Sequence, residues 1–151
     1  MERERPDEAG TVVVREMRIE DYDSVLELWS ATDGIGLSDA DSKVNIAAFL
    51  QRNPGLSFVV LWEGQIVGAA LCGQDGRRGY LHHLTVQKSY RKRGLGKALI
   101  EACFNGLREI NIAKCHIFVF KDNIVGIEFW NRSGWQTRGD LQVMSKLTRH
   151  I

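Results

Sequence analysis

Tyr90-Arg91-Lys92-Arg93-Gly94-Leu95-Gly96-Lys97 joins two runs of opposite periodicity. Before it, Tyr80 to Gln87 reads as a strand. After it, Leu95, Ala98, Leu99, Ala102, Cys103 and Gly106 recur on one face of a long helix. A helix N-terminus presents unpaired N–H groups and about half a positive charge, so it attracts anions. Gly94 and Gly96 lack the Cβ atoms that would hold a phosphate off those amides, and Arg91, Lys92, Arg93 and Lys97 surround the same point with charge. Two other phosphate loops do not fit. A dinucleotide fingerprint requires a third glycine where Leu99 stands, and a Walker loop requires glycine at Arg91 and Ser or Thr at Ala98.

Outward from the loop, the charge is segregated. From Gly76 to Ile100 there is no Asp or Glu, yet Arg77, Arg78, Lys88, Arg91, Lys92, Arg93 and Lys97 are all basic. The whole chain carries a net charge of only +1. A one-signed stretch repels itself unless an anion joins it, whereas a solvated charged face is the plainer alternative. The glycines among the bases favour the anion.

The flanking sequence alternates short strands and helices, without repeats or a low-complexity linker. Strands are expected at Thr11–Met17, Ser57–Trp62, Gln65–Cys72, Tyr80–Gln87, Lys114–Phe120 and Leu141–Leu147, with Glu63-Gly64 as a hairpin turn. Helices are expected around Tyr22–Trp29 (Asp21 as N-cap), Ile46–Leu50, Leu95–Gly106 and Ile124–Asn131. The order β-α-α-β-β-β-α-β-α-β describes an α/β protein with a mixed sheet. At 151 residues, with 44% hydrophobic and 26% charged residues, the chain suits one domain over 10–151, after a tail at 1–9 expected to be disordered. The longest apolar or glycine run, Ile66–Gly73, is far short of the ~20 residues of a membrane helix. Met1–Glu8 has no apolar core and does not read as a signal peptide. Cys72, Cys103 and Cys115 are widely spaced and odd in number, which suggests a reduced, cytoplasmic setting.

Arg91-Lys92-Arg93-Gly94-Leu95-Gly96 resembles the Arg/Gln-x-x-Gly-x-Gly/Ala signature of the GNAT acetyltransferase superfamily. It follows Leu84-Thr85-Val86 on a strand and precedes a long amphipathic helix, as in that family. The segment Asp122-Asn123 through Phe129-Trp130-Asn131-Arg132-Ser133-Gly134-Trp135 is similar to the family's Asn…Phe-Tyr-x-x-x-Gly-Phe segment. Gly73 to Gly79 also resembles a bacterial branch of small members.

The resemblance implies a GNAT fold with splayed central parallel strands and acetyl-CoA as cofactor. The pyrophosphate would lie on Arg91–Lys97, and the pantetheine arm in a splay between Leu84–Val86 and Ile117–Phe120. Main-chain groups of Leu84 and Val86 would bond the arm like an added strand. The Leu84 N–H could polarise the thioester carbonyl. Asn123 would bind the pantetheine region, although a plain helix cap explains it equally. Trp130 stands where the family usually has a tyrosine thought to protonate the leaving thiolate. An indole cannot do that, so Trp130 would pack against the cofactor or serve as a core aromatic.

Transfer to an amine requires a base, and the strand before the loop offers Tyr80, His82 and His83. Strand alternation puts the two histidines on opposite faces, which argues against a metal site. By register His82 is the preferred base, with a surface or packed histidine as the alternative, and the acid is Tyr80, on the face of His82, or water, or no group at all. Between Arg18 and Lys43 there is no base, while Asp33, Asp39 and Asp41 could form an acidic wall that steers a cationic amine. They suit helix ends equally well. The expectation is thus acetyl transfer from acetyl-CoA to a primary amine, on a small molecule or on a peptide or protein. No nucleic-acid or membrane partner is expected, and homodimerisation is left open. The alternatives are a non-catalytic acyl-CoA-binding regulator and a nucleic-acid binder using the basic stripe.

Overall fold

The computed structural model describes residues 10–149, so the tail expected at residues 1–9 lies outside the described residues. The chain divides between Phe118 and Val119 into two compact units. The first holds strands β1 (Val12–Glu16), β2 (Phe58–Trp62), β3 (Gln65–Gln74), β4 (Gly79–Val86) and β5 (Cys115–Ile117). Its helices are α1 (Tyr22–Ser30), α2 (Lys43–Arg52) and α3 (Leu95–Glu109). The strands lie in the order β1-β2-β3-β4-β5. Successive pairs are antiparallel except β4 and β5, which run parallel. Parallel neighbours need a crossover, and α3 supplies it.

Local chemistry explains the turns. Glu63 and Gly64 have φ of 49° and 79°, the double left-handed step that a two-residue hairpin between β2 and β3 requires. Asp21 stands at the N-cap position of α1 as expected, but its carboxylate does not cap the helix. It accepts both Nη groups of Arg15 at 2.8 Å and the Arg18 N–H at 2.8 Å, which ties β1 to the start of α1.

The sheet is covered on both faces. Tyr22, Val25 and Trp29 of α1 and Ile46 of α2 pack with Val59, Ala69 and Leu71 on one face. Leu99, Cys103 and Leu107 of α3 are buried on the other. Gly79 admits α3 closely, because a Cβ there would stand 2.7 Å from Leu107 Cδ1. β3 is buried from Val67 to Gly73, which is why it reads as a continuous apolar run.

The second unit contains α4 (Ile124–Arg132). The strand expected at residues 141–147 is absent: those residues adopt neither helix nor strand. Leu141, Val143, Met144 and Leu147 are each at least 62% exposed. Alternation fixes which side chains would share a face, but a strand also needs a backbone partner. The expected strand Lys114–Phe120 likewise shortens to Cys115–Ile117.

Candidate active site

β4 and β5 part company midway along β4. Their pairing covers Gly79↔Cys115, Tyr80↔His116 and Leu81↔Ile117, and there it stops. The expected splay is therefore the open flank of β4 beyond Leu81. A β-bulge decides what that flank presents. Against β3, Leu71 pairs with His82 while Ala69 pairs with Thr85, so β4 carries one extra residue between these pairs. His83 lies in this interval with φ of 49°, a backbone conformation uncommon for a residue with a side chain.

The extra residue reverses the direction of the backbone groups. Before the bulge, Gly79 donates its N–H to Lys114 O at 2.9 Å, toward β5. After it, Gln87 donates to Val67 O at 2.7 Å, toward β3. By strand alternation Thr85 also faces β3, and the main-chain groups of Leu84 and Val86 face the open flank. The Val86 carbonyl there accepts Arg91 Nε at 2.8 Å, which draws the basic loop against the end of β4.

That loop is tightly wound. Lys92 and Gly94 have φ of 64° and 78°, and α3 begins at Leu95. Gly94 at the N-cap offers no side chain to the helix, and no side chain caps α3. In contrast, Ser42 Oγ caps α2 by accepting from Asn45 N, and Asn123 Oδ1 caps α4 by accepting from Gly126 N. The α3 N-terminus is thus left open toward a ligand, among exposed Arg91, Lys92 and Lys97 and half-buried Arg93.

The bulge also overturns the opposite-face expectation for the two histidines. His82 meets the Phe49 ring of α2, with centroids 6.0 Å apart. His83 meets Trp29 of α1 edge-on at 5.0 Å. Both therefore lie on the α1/α2 face, because regular alternation fails at the extra residue. Burial, and secondarily His83, hold the His82 imidazole below the ordinary histidine range, against a smaller pull from Asp41. His83 Nε2 is 2.7 Å from Asp41 Oδ1. Beside them Thr32 Oγ1 donates to Leu28 O at 2.7 Å, so in the 2.6 Å contact between hydroxyls Thr85 donates to Thr32.

The remaining candidates separate. Tyr80 packs against His116 and Phe118, and its hydroxyl donates to Asp75 Oδ2 at 3.4 Å. Asp33 and Asp39 are exposed. Asp41 is turned inward, and its Oδ2 accepts the Ser38 N–H at 3.1 Å in a short turn over Asp39–Asp41. Within the second unit, Trp130 is buried against Phe129 and Trp135. Cys72, Cys103 and Cys115, distant in sequence, converge in the first unit. Hydrogen bonding to Cys103, together with burial, pushes the Cys72 thiol up to about 12. Cys115 is raised as well, chiefly by its bond with Cys72.

The family model described as "Acetyltransferase (GNAT) family" matches residues 22–135. The chain belongs to the GNAT acetyltransferase family. It is 31% identical over 124 residues to an acetyltransferase of Pectobacterium atrosepticum, covering 82% of this chain and 87% of the relative. Among solved structures, the PaiA N-acetyltransferase of Thermoplasma acidophilum in complex with coenzyme A aligns with a TM-score of 0.74 at 20% identity. That alignment covers 85% of this chain and 94% of the other. The structure of AAC(6')-Iy with a bisubstrate analogue, CoA-S-monomethyl-acetylneamine, aligns with a TM-score of 0.73 at 17% identity. It covers 93% and 99% of the two chains. This GNAT chain is accordingly an N-acetyltransferase with acetyl-CoA as its usual cosubstrate. An uncapped helix N-terminus such as that of α3 is suited to a phosphate, and an open strand flank such as that of β4 to an amide-bearing chain.

Sequence reasoning missed the pairing of His83 with Asp41, the position of Trp29 beside it, and the Thr32–Thr85 contact. All three depend on the bulge or on contacts between residues 42 to 54 positions apart. The left-handed His83 carries no sequence mark, as glycine would.

Proposed function

We propose that this GNAT enzyme transfers acetyl from acetyl-CoA to a primary amine, on a small molecule or a peptide, by direct attack while both substrates are bound. The observation that carries the reading is the end of the β4–β5 ladder at Leu81 and Ile117. It leaves the Leu84 main chain and the Val86 N–H facing the open flank, where they can pair with the pantetheine amides, while the Val86 carbonyl holds Arg91. Gly94, Leu95, Gly96 and Lys97 at the open α3 terminus receive the pyrophosphate, helped by Lys92 and Arg93. Arg91 holds the loop against β4, and Thr85 anchors β4 to Thr32. The family match runs across both compact units, which supports treating residues 10–151 as one functional domain.

The attacking amine must be neutral, and its excess proton must leave as the C–N bond forms. A histidine of β4 takes it. His82, the candidate expected from sequence, is held neutral by burial, as a base must be before it acts. The raised Cys72 and Cys115 thiols are poor nucleophiles near neutral pH, which supports direct attack over an acyl-cysteine route. Thiolate departure needs little acid assistance, because a thiol titrates near ~8.5. Tyr80, whose hydroxyl is engaged by Asp75, is assigned no step. Asp33 and Asp39 remain exposed charges able to steer a cationic acceptor, whereas Asp41 is committed inward.

The test is CoA release from acetyl-CoA with polyamines, amino acids, aminoglycosides and peptides bearing free N-termini. The reading expects saturable CoA release with one of these classes. Tight acetyl-CoA binding without release for any of them would contradict it and favour a non-catalytic acyl-CoA binder.

A further inference from the structure

We propose that His83, oriented by Asp41, is the group that takes the proton from the acceptor amine, and that Asp41 is its positioning residue. The inference rests on the acetyltransferase reading and narrows it to one of the two histidines.

The hydrogen bonds fix the tautomer. An ionised carboxylate can only accept, so the 2.7 Å contact with Asp41 Oδ1 places the ring hydrogen of His83 on Nε2. Nδ1 then keeps its lone pair. Asp41 is itself held at three atoms. Its backbone carbonyl accepts Tyr22 Oη at 2.7 Å, Oδ2 accepts the Ser38 N–H, and Oδ1 receives His83. The side chains of His83 and Asp41 are 19% and 11% exposed, so the imidazole is reachable while the carboxylate is largely withdrawn from water.

Proton uptake discriminates between the histidines. At His83 it creates an imidazolium already bonded to a carboxylate. At His82, half-buried like His83, it creates a charge whose ring neighbour is Phe49, with no hydrogen-bonded carboxylate among the described residues. Burying a cation without a bonded partner is costly. Among the described residues, the titratable groups that interact with His83 are Asp41, from the turn before α2, and His82 on its own strand; α1 contributes the uncharged Trp29.

Two further features mark the same place. His83 is the left-handed residue of the bulge, directly before Leu84, whose main chain faces the open flank. Backbone strain of this kind persists where surrounding structure enforces it. Trp29, 1% exposed and edge-on to His83, has an indole N–H without an acceptor among the described residues. Such a buried donor is satisfied when a polar group is brought beside it.

The step balances. The amine lone pair forms the C–N bond, and the C–S pair leaves with sulfur as thiolate. The surplus amine proton moves to His83 Nδ1, and the imidazolium returns it to the thiolate through solvent. CoA and the amide are released with His83 restored.

The experiment compares wild type with His83→Asn, His83→Gly, Asp41→Asn and His82→Asn. It follows CoA release from acetyl-CoA with whichever of the four amine classes turns over, across pH 6–9. Asn and Gly both accept the backbone conformation of His83. His83→Asn is expected to lose ~10²-fold or more in kcat/KM, the usual scale for a missing base. The acid-side fall imposed by protonation of the amine is expected in every variant, and imidazole in the buffer is expected to restore activity to His83→Gly. Asp41→Asn keeps the bond from Ser38 and is expected to lower kcat at unchanged acceptor KM. His82→Asn is expected to lose less than His83→Asn. An active wild type with His83→Asn retaining its rate would overturn the assignment, as would a larger loss in His82→Asn. Should both His83 variants misfold, an undiminished kcat in Asp41→Asn would overturn it alone. A wild type that binds acetyl-CoA and acetylates none of the four classes would overturn the acetyltransferase reading, and this assignment with it.

Discussion

Asp21 illustrates how one side chain can carry more than its local pattern suggests. Its position marks a helix start, and α1 does begin at Tyr22. Its bonds go instead to Arg15 and the Arg18 amide, and the Arg15 contact is the main reason its carboxyl titrates below the ordinary carboxylate range. A lowered folded value means the group favours the fold above the ordinary pKa of ~3.9, a contribution lost as pH falls through the folded value. Asp21→Asn is therefore expected to cost roughly 1.5–3 kcal/mol at pH 7, the scale of charged hydrogen bonds. Urea unfolding at pH 7 and pH 2.5 checks the sign: the gap between wild type and variant is expected to shrink in acid. A constant gap would assign Asp21 to packing. Nothing in sequence spacing links Arg15, at a strand end, to Asp21 at a helix start. The face of His83 escapes the sequence for a related reason. The period-2 rule is sound for a regular strand, and the bulge suspends it where the chemistry is proposed.

Among elements, the strand–loop–helix from β4 to α3 was legible, and the edges were not. Gly94 and Gly96 among bases announced the loop. Paired glycine and charge are local features, and they place a helix start without reference to the rest of the chain. Leu141–Leu147 and the far end of β5 were overread, since alternation says nothing about whether a neighbour is present to pair. Helix α3 provides a contest between two effects. Alanine is favoured over glycine within a helix by ~1 kcal/mol. At Gly106, however, a Cβ would stand 2.5 Å from Gly55 O, a backbone atom in the turn before β2. Moving α3 or that turn aside is an overpacking cost of typically ~1–3 kcal/mol. Packing is expected to win, so Gly106→Ala is expected to lower the urea midpoint of wild type. A raised midpoint would mean that α3 sits further from the turn than this structure has it.

At the scale of the whole molecule, a net charge of +1 hides an uneven distribution. The acid-free stretch from Gly76 to Ile100 contains β4, the loop and the first turn of α3, where the diphosphate of acetyl-CoA is proposed to bind. Among the described residues no helix is long and apolar enough to cross a membrane. Segregated charge, open flank and uncapped helix all serve one claim: this chain binds acetyl-CoA at the Gly94 turn. The measurement that tests it most directly is a calorimetric titration of acetyl-CoA into wild type, Gly94→Asn and Gly94→Asp. The space around Gly94 is open, with nothing within 4 Å of an added Cβ, and its φ of 78° strains both variants. Asn and Asp have nearly the same shape, so charge is what separates them. Like charge held against a diphosphate costs several kcal/mol, and ~1.4 kcal/mol is tenfold in affinity. Acetyl-CoA is expected to bind wild type, and to bind Gly94→Asp at least ~100-fold more weakly than Gly94→Asn. Equal affinity for Gly94→Asp and Gly94→Asn would contradict the claim.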